Sequence, residues 1–302
     1  MKNLKWFCLL FILGLSTVFA DTCTLYTRDR FSPHDIGEMS SILDSFHETD
    51  PNKNIIFYVH GRKKNIIDEW KDLANIEDTY KVKIVMFHWA AWTSMLIRPV
   101  KSAEDSASEL GQALKEISDY KVSHTEKFQN KKIIFLSHSM GNVVLRYYLL
   151  NYYNDGDLGT ENGKELFYNY VSTSADVPMM EHKEWLSKIN FAHNRYVTFN
   201  NKDIVLNLSN LLNVLHADIF SFKLGLGFDT FSWRNFFIEN IIDQNSTYID
   251  FSEILKAEHR YFQKNKLLLN IIFDPLFNGQ TFNPLAKGLN VVKKKGIYYL
   301  SD

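Results

Sequence analysis

The chain has 302 residues, 45% of them hydrophobic and 23% charged, with a formal net charge of −1. That balance suits a globular chain that buries a core, and it sets up no overall field that would recruit nucleic acid or an anionic membrane. Aromatic residues reach 15%, and most are expected inside.

At the N-terminus, Lys2 and Lys5 precede an apolar run from Trp6 to Leu15, and Ser16-Thr17-Val18-Phe19-Ala20 supplies small residues at the positions a signal peptidase reads. Residues 1–20 are expected to be a secretory signal peptide cut between Ala20 and Asp21, which makes the protein secreted or periplasmic. The run is short for a membrane span, although an uncleaved anchor is the competing reading. Cys8 would leave with the leader. The mature chain then keeps only Cys23, a free or intermolecularly paired thiol near a loose terminus. Residues 21–302 read as a single domain, with no later membrane span.

Apolar runs rich in β-formers follow at 54–59, 82–87, 132–136, 167–173, 195–199 and 247–251. Short continuous runs of this kind suit strands buried on both faces of a parallel sheet. Helical spacing appears over 102–118, in Ala103, Ala107, Leu110, Leu114 and Ile117, and again over 141–152. The alternation predicts an α/β fold, a mainly parallel sheet covered by helices on both faces. Ligands then collect beyond the carboxyl ends of the strands, so functional residues are expected just after them.

Ser137-His138-Ser139-Met140-Gly141 stands directly after one such strand and opens a helix. It is close to Gly-x-Ser-x-Gly, the nucleophile elbow, in the strand-turn-helix setting that motif requires. Positions two before and two after the serine must be small, because helix and strand come close there. Gly141 meets that need and Ser137 departs from glycine while staying small. Ser139 is then the candidate nucleophile, and the backbone N–H of Met140 a candidate oxyanion donor. Val59-His60-Gly61-Arg62 ends an earlier strand, and Gly61 lets the backbone approach a substrate. The N–H of Arg62 is the second candidate donor, with His60 as a packing residue.

The His-Gly loop, the strand end Phe87-His88-Trp89 and the Ser-His-Ser-Met-Gly elbow occur in the order seen in α/β-hydrolases. Over roughly residues 50–265 the chain resembles the α/β-hydrolase family of unknown function, many of whose members are exported. The resemblance implies an esterase-like or lipase-like triad, in the order Ser, acid, His, without a settled substrate. Two acids follow strands: Asp203, preferred, and Asp176, as the alternative triad acid or a pocket-lining carboxylate. His259, followed by Tyr261-Phe262, resembles the family's C-terminal histidine in the loop after the last strand, and His216 is its rival. His182 and His193 break the order, and His138 is a supporting group beside the nucleophile.

The expected chemistry is acyl transfer from a small-molecule or lipid ester through an acyl-enzyme on Ser139. An acyltransferase using the same triad, or a non-catalytic binding protein on the same scaffold, is the alternative. The apolar stretch Trp89–Ile97 lines a pocket or packs a helix start. Residues 204–240 are a possible cap or lid. No metal site, cofactor or phosphate loop is implied, and oligomeric state is left open.

Overall fold

In a computed structural model of the protein, the residues described are 22–29, 32–63, 65–92, 97–158, 165–178, 182–208, 242–264 and 267–301. Each of the six apolar runs forms a strand. These are β2 Ile55–Val59, β3 Lys83–His88, β4 Ile133–His138, β5 Phe167–Thr173, β6 Ala192–Phe199 and β7 Thr247–Asp250. Pattern reading overlooked three others. β1 Thr24–Tyr26 spans only 3 residues, too short for a periodicity. β8 Asn290–Lys294 and β9 Ile297–Ser301 form a hairpin. β8 is exposed and lysine-bearing, the character of an edge strand that resists further pairing. Lys295 and Gly296 turn the hairpin with φ of 49° and 80°.

β7 is therefore not the last strand. The sheet runs β1-β3-β2-β4-β5-β6-β7-β9-β8. It is parallel from β3 to β9 and closed by an antiparallel strand at each edge.

Helices pack on both faces. They are α1 Met39–Thr49, α2 Ile66–Tyr80, α3 Val100–Asp105, α4 Ala107–Ser123, α5 Gly141–Asn151, α6 His182–Leu186 and α7 Leu267–Phe277. The stretch read as one helix over 102–118 is divided at Ser106, whose hydroxyl donates back to the Ser102 carbonyl at 2.7 Å. Two apolar layers follow from the period-2 alternation of strand side chains. Along β2, Ile55, Phe57 and Val59 join the layer under α1, α4 and α5. Ile56 and Tyr58 join the layer under α2 and α7. Among the described residues no helix is long and apolar enough to cross a membrane.

Cys23 is not in a loose terminus. It sits beside β1, 1% exposed, with its backbone N–H on Glu109 Oε2 at 2.8 Å. Burial pushes the thiol up to about 12. A thiol so enclosed is a packed side chain of the fold. Residues 209–240 of the expected cap, His216 among them, lie outside the described residues, as do 1–20.

One buried amide ties the C-terminal helix to the sheet. Asn169 on β5 is fully buried. Its Nδ2 donates to Leu276 O at 2.7 Å and Gln280 O at 2.9 Å, and its Oδ1 accepts from Asn194 Nδ2 at 2.9 Å. Asn169→Ala strands two carbonyls and one amide at once, and each such loss costs about 1–3 kcal/mol. Urea unfolding should show a loss of at least ~2 kcal/mol, and a variant as stable as the wild type would contradict this account.

Candidate active site

β4 runs through His138, two residues past its expected end, and the chain then turns sharply into α5. Ser139 occupies that turn with φ of 50°, a left-handed conformation that costs a non-glycine residue of order 1–3 kcal/mol. Backbone hydrogen bonds hold it there. Ser139 N–H donates to Thr173 O at 3.0 Å. Its carbonyl accepts from Asn142 N at 3.1 Å, Asn142 Nδ2 at 3.2 Å and Asp176 N at 3.2 Å. A planar trans peptide points its C=O and N–H in opposite directions. Gripping the Ser139 carbonyl therefore aims the Met140 N–H to the other side.

The two small positions of the elbow are used differently. A Cβ on Gly141 would stand 2.4 Å from Val59 O and 2.9 Å from His60 O, so only glycine fits against the β2 loop. Ser137 has a hydroxyl where the motif has none, and that hydroxyl is put to use. It donates to Asn142 Oδ1 at 2.6 Å, and lies 2.9 Å from the Tyr170 hydroxyl. Tyr170 OH and Ser172 Oγ reach the same Asn142 oxygen at 2.9 and 2.8 Å. All four side chains are buried. The network orients the Asn142 amide so that its nitrogen faces the Ser139 carbonyl. Sequence reasoning missed Asn142, Tyr170 and Ser172; the hint available was the Ser137 departure itself, which asks for a partner.

The β2 loop lies against the serine. A Cβ on Gly61 would come within 2.7 Å of Ser139 Cβ. His60 is buried, and its Nδ1 sits 2.7 Å from Gly61 O. That nitrogen must be the donor, so Nε2 is the acceptor and receives Nδ1–H of His88 at 2.9 Å. By the same planar-peptide logic, holding Gly61 O turns the Arg62 N–H outward. Trp89 closes the back of the loop: its indole N–H donates to His60 O at 2.9 Å, and its ring stacks on His60 at 5.9 Å. Trp89 is thus a packing residue, while Trp92 is 39% exposed beneath the Arg62 guanidinium. Residues 93–96 lie outside the described residues. Burial lowers the pKa of His60, and burial with His60 as neighbour brings His88 down to about 3.

Of the two candidate acids, the fold brings Asp203 to His259. Asp203 follows β6 and is fully buried. Its Oδ2 stands 2.6 Å from His259 Nδ1. Its Oδ1 accepts from Val205 N at 2.9 Å and Leu206 N at 3.2 Å, the N-cap pattern for the helical turn at residues 204–208. Nδ1 donating to the carboxylate leaves His259 Nε2 with its lone pair. Asp176 makes a different pair: Arg98 Nε and Nη2 lie 3.0 and 2.9 Å from its Oδ2.

The loop bearing His259 is anchored along its length. Ser174 Oγ donates to His259 O at 2.8 Å, and Asn200 Nδ2 to Lys256 O and Glu258 O at 2.8 and 3.0 Å. Arg260 meets buried Glu69 at 3.1 Å, and the Tyr58 hydroxyl donates to that carboxylate at 2.6 Å. Burial works to raise the Glu69 pKa, but Arg260 and the Tyr58 hydroxyl outweigh it and hold the carboxyl below its ordinary range.

Three other histidines are placed apart from this pair or against it. The His138 ring lies 4.7 Å from the His259 ring, with Nδ1 3.1 Å from Thr173 Oγ1. Burial and then His259 push its pKa well down, so it stays neutral. His182 is buried between Trp185 and Tyr248, and His193 pairs with Glu165 on the surface.

A mainly parallel sheet with helices on both faces, and a left-handed serine between strand and helix, define an α/β-hydrolase fold. The chain belongs to the family described as alpha/beta hydrolase of unknown function (DUF900), which it matches over residues 37–219. That span takes in Gly61, Ser139 and Asp203 and stops before His259. No curated protein matches the chain.

Among solved structures, it is similar to a predicted CIB-like hydrolase from Thermoplasma acidophilum, at 14% identity over 76% of this chain and 89% of that one, with a TM-score of 0.36. A thermophilic esterase from the Planctomycetes species Thermogutta terrifontis is 7% identical over 73% and 79%, with a TM-score of 0.33. A hyperthermophilic esterase from the archaeon Pyrobaculum calidifontis is 8% identical over 70% of each chain, with a TM-score of 0.34.

The buried histidines make stability pH-dependent. His88 has a pKa of about 3 in the fold, against an ordinary value of 6.5. Its neutral form is favoured by folding, so this contribution is complete above about pH 6.5 and is lost as pH falls from there toward 3. His88→Gln keeps an N–H for His60 without titrating. Thermal melts at pH 7, 5 and 4 should show a shallower acid loss for His88→Gln than for the wild type; parallel losses would refute the assignment.

Proposed function

We propose that this protein is an exported serine hydrolase that cleaves carboxylic esters through an acyl-enzyme on Ser139. The observation that carries the reading is the 2.6 Å contact between His259 Nδ1 and Asp203 Oδ2, in a fold whose elbow presents Ser139. In this reading His259 Nε2 takes the Ser139 proton as Oγ bonds to the ester carbonyl carbon. The carbonyl oxygen becomes an oxyanion facing the N–H groups of Met140 and Arg62. The tetrahedral species collapses, its C–O bond breaks, and the departing alkoxide takes the proton from His259. A water then gives a proton to His259 as it attacks the acyl carbon; the acyl–Oγ bond breaks, Ser139 Oγ takes that proton back from His259, and the acid leaves. Asp203 stays ionised throughout; its part is to hold the imidazole and offset its transient charge. His60 and Asn142 act behind the two oxyanion donors, each by fixing the carbonyl of the donor's peptide.

Labelling with a fluorophosphonate probe tests the nucleophile. The wild type is expected to label and Ser139→Ala to stay unlabelled, with turnover of 4-nitrophenyl esters abolished. Asp203→Asn is expected to lower kcat by about 10⁴, as loss of the orienting carboxylate does in other serine triads. Folded wild-type protein that takes no label, beside a control hydrolase that does, would overturn the reading, and so would full turnover by Ser139→Ala.

Export is part of the same proposal. It rests on the basic, apolar and small-residue order of residues 1–20. N-terminal sequencing of protein recovered from outside the cytoplasm should begin at Asp21; an intact Met1 on membrane-bound protein would show an anchor in its place.

A further inference from the structure

The acid and the base of the ester-cleavage reading come from different parts of the chain. Asp203 follows β6, and His259 stands in the loop beyond β7, 56 residues later. Their 2.6 Å contact needs both backbones in place, because neither side chain is long enough to make up for a displaced segment.

One side chain reaches both segments. Asn200, the residue directly after β6, is fully buried. Toward the acid, its Oδ1 accepts the Lys202 N–H at 3.0 Å, and its carbonyl accepts the Asp203 N–H at 3.1 Å. The first of these is an Asx turn, in which a side-chain oxygen takes the place of a backbone one. Toward the base, its Nδ2 donates to Lys256 O at 2.8 Å and to Glu258 O at 3.0 Å. Both N–H groups of the amide and its oxygen are thereby engaged.

The other contacts of the two segments do a different job. Asp203 Oδ1 caps the turn at residues 204–208, which fixes the carboxylate within its own segment. Ser174 Oγ holds His259 O from the end of β5. Asn201 N–H meets Ser252 Oγ at 2.7 Å, a tie between the segments placed well before His259. Asn200 acts at residues 256 and 258, beside the imidazole. A serine side chain ends one bond short of the amide nitrogen, so it serves the turn and misses the loop.

We propose that Asn200 is a positioning residue for ester cleavage: its amide holds the turn bearing Asp203 and the loop bearing His259 at the separation their hydrogen bond needs. The proposal rests on the reading of that pair as the acid and base behind Ser139.

The test uses Asn200→Ser, which keeps an acceptor for the turn and drops the donation to the loop. The control is Asn169→Ala. Asn169 likewise donates from a buried amide to two carbonyls, but those belong to Leu276 and Gln280 at the end of the C-terminal helix. With 4-nitrophenyl butyrate, Asn200→Ser is expected to lower kcat by about 10–100-fold with KM within about threefold of the wild type, the scale of a catalytic group moved out of line. Asn169→Ala should leave kcat within about twofold of the wild type, since its contacts are far from the pair. On an Asp203→Asn background, Asn200→Ser should add no more than about twofold, because the pair it serves is already broken. Proton NMR supplies a readout free of turnover. The strongly deshielded proton between Asp203 and His259, identified by its absence from Asp203→Asn, should weaken or shift in Asn200→Ser and persist in Asn169→Ala. Should Asn200→Ser not fold, Asn200→Thr, bulkier and equally short of the loop, is read by the same criteria. A kcat no lower than that of Asn169→Ala, a fully additive loss on Asp203→Asn, or an unchanged resonance would overturn the proposal while the ester-cleavage reading stands. If the wild type turns over no ester, that reading falls, and the resonance alone decides whether Asn200 holds the pair.

Discussion

The carbonyl of Ser139 is the point on which the candidate site depends. Three N–H donors converge on it, from Asn142 main chain, Asn142 side chain and Asp176. They hold a non-glycine residue in a left-handed turn that it would otherwise leave. With that peptide fixed, the Met140 N–H has one direction. The β2 loop repeats the device, since His60 grips Gly61 O and so settles where the Arg62 N–H points. Both peptides are held by groups that are themselves buried.

The supporting polar groups share one property: they are buried and satisfied. Ser137, Asn142, Tyr170 and Ser172 form a closed cluster beneath the elbow. Asp203 spends one oxygen on a helix cap and the other on His259. Buried networks of this kind rigidify when complete and are costly when broken. The neutral histidines 60, 88 and 138 follow the same rule, because burial excludes their charged forms. Complete buried networks favour a preset geometry, the condition that electrostatic preorganisation requires.

Much of this was legible in the chain. Ser139 stood out because an apolar strand, a small-residue turn and a helical pattern meet there, all within about twenty residues of sequence. Gly61 and Gly141 were legible as places where backbone must come close, and the contacts they make are with each other's loops. Six of the seven strands of the sheet interior were readable because burial on both faces leaves continuous apolar runs. β1 and the β8–β9 hairpin were not, one being three residues long and the other half exposed and lysine-rich. Asn142 gave no sign, since an asparagine in the first turn of a helix is ordinary until its partners on β4 and β5 are seen.

The sequence by itself determined the local elements: the period of the strands, the elbow, the order in which serine, acid and histidine occur. Local pattern could do this because strand burial and turn sterics act between residues a few positions apart. Only the tertiary structure showed which of Asp203 and Asp176, which sit alike after neighbouring strands, lies against His259. The deciding contact joins residues 203 and 259, and a competing one joins 98 and 176. Those pairings depend on how β6, β7 and the loops beyond them lie in space, and no spacing along the chain encodes a distance across it.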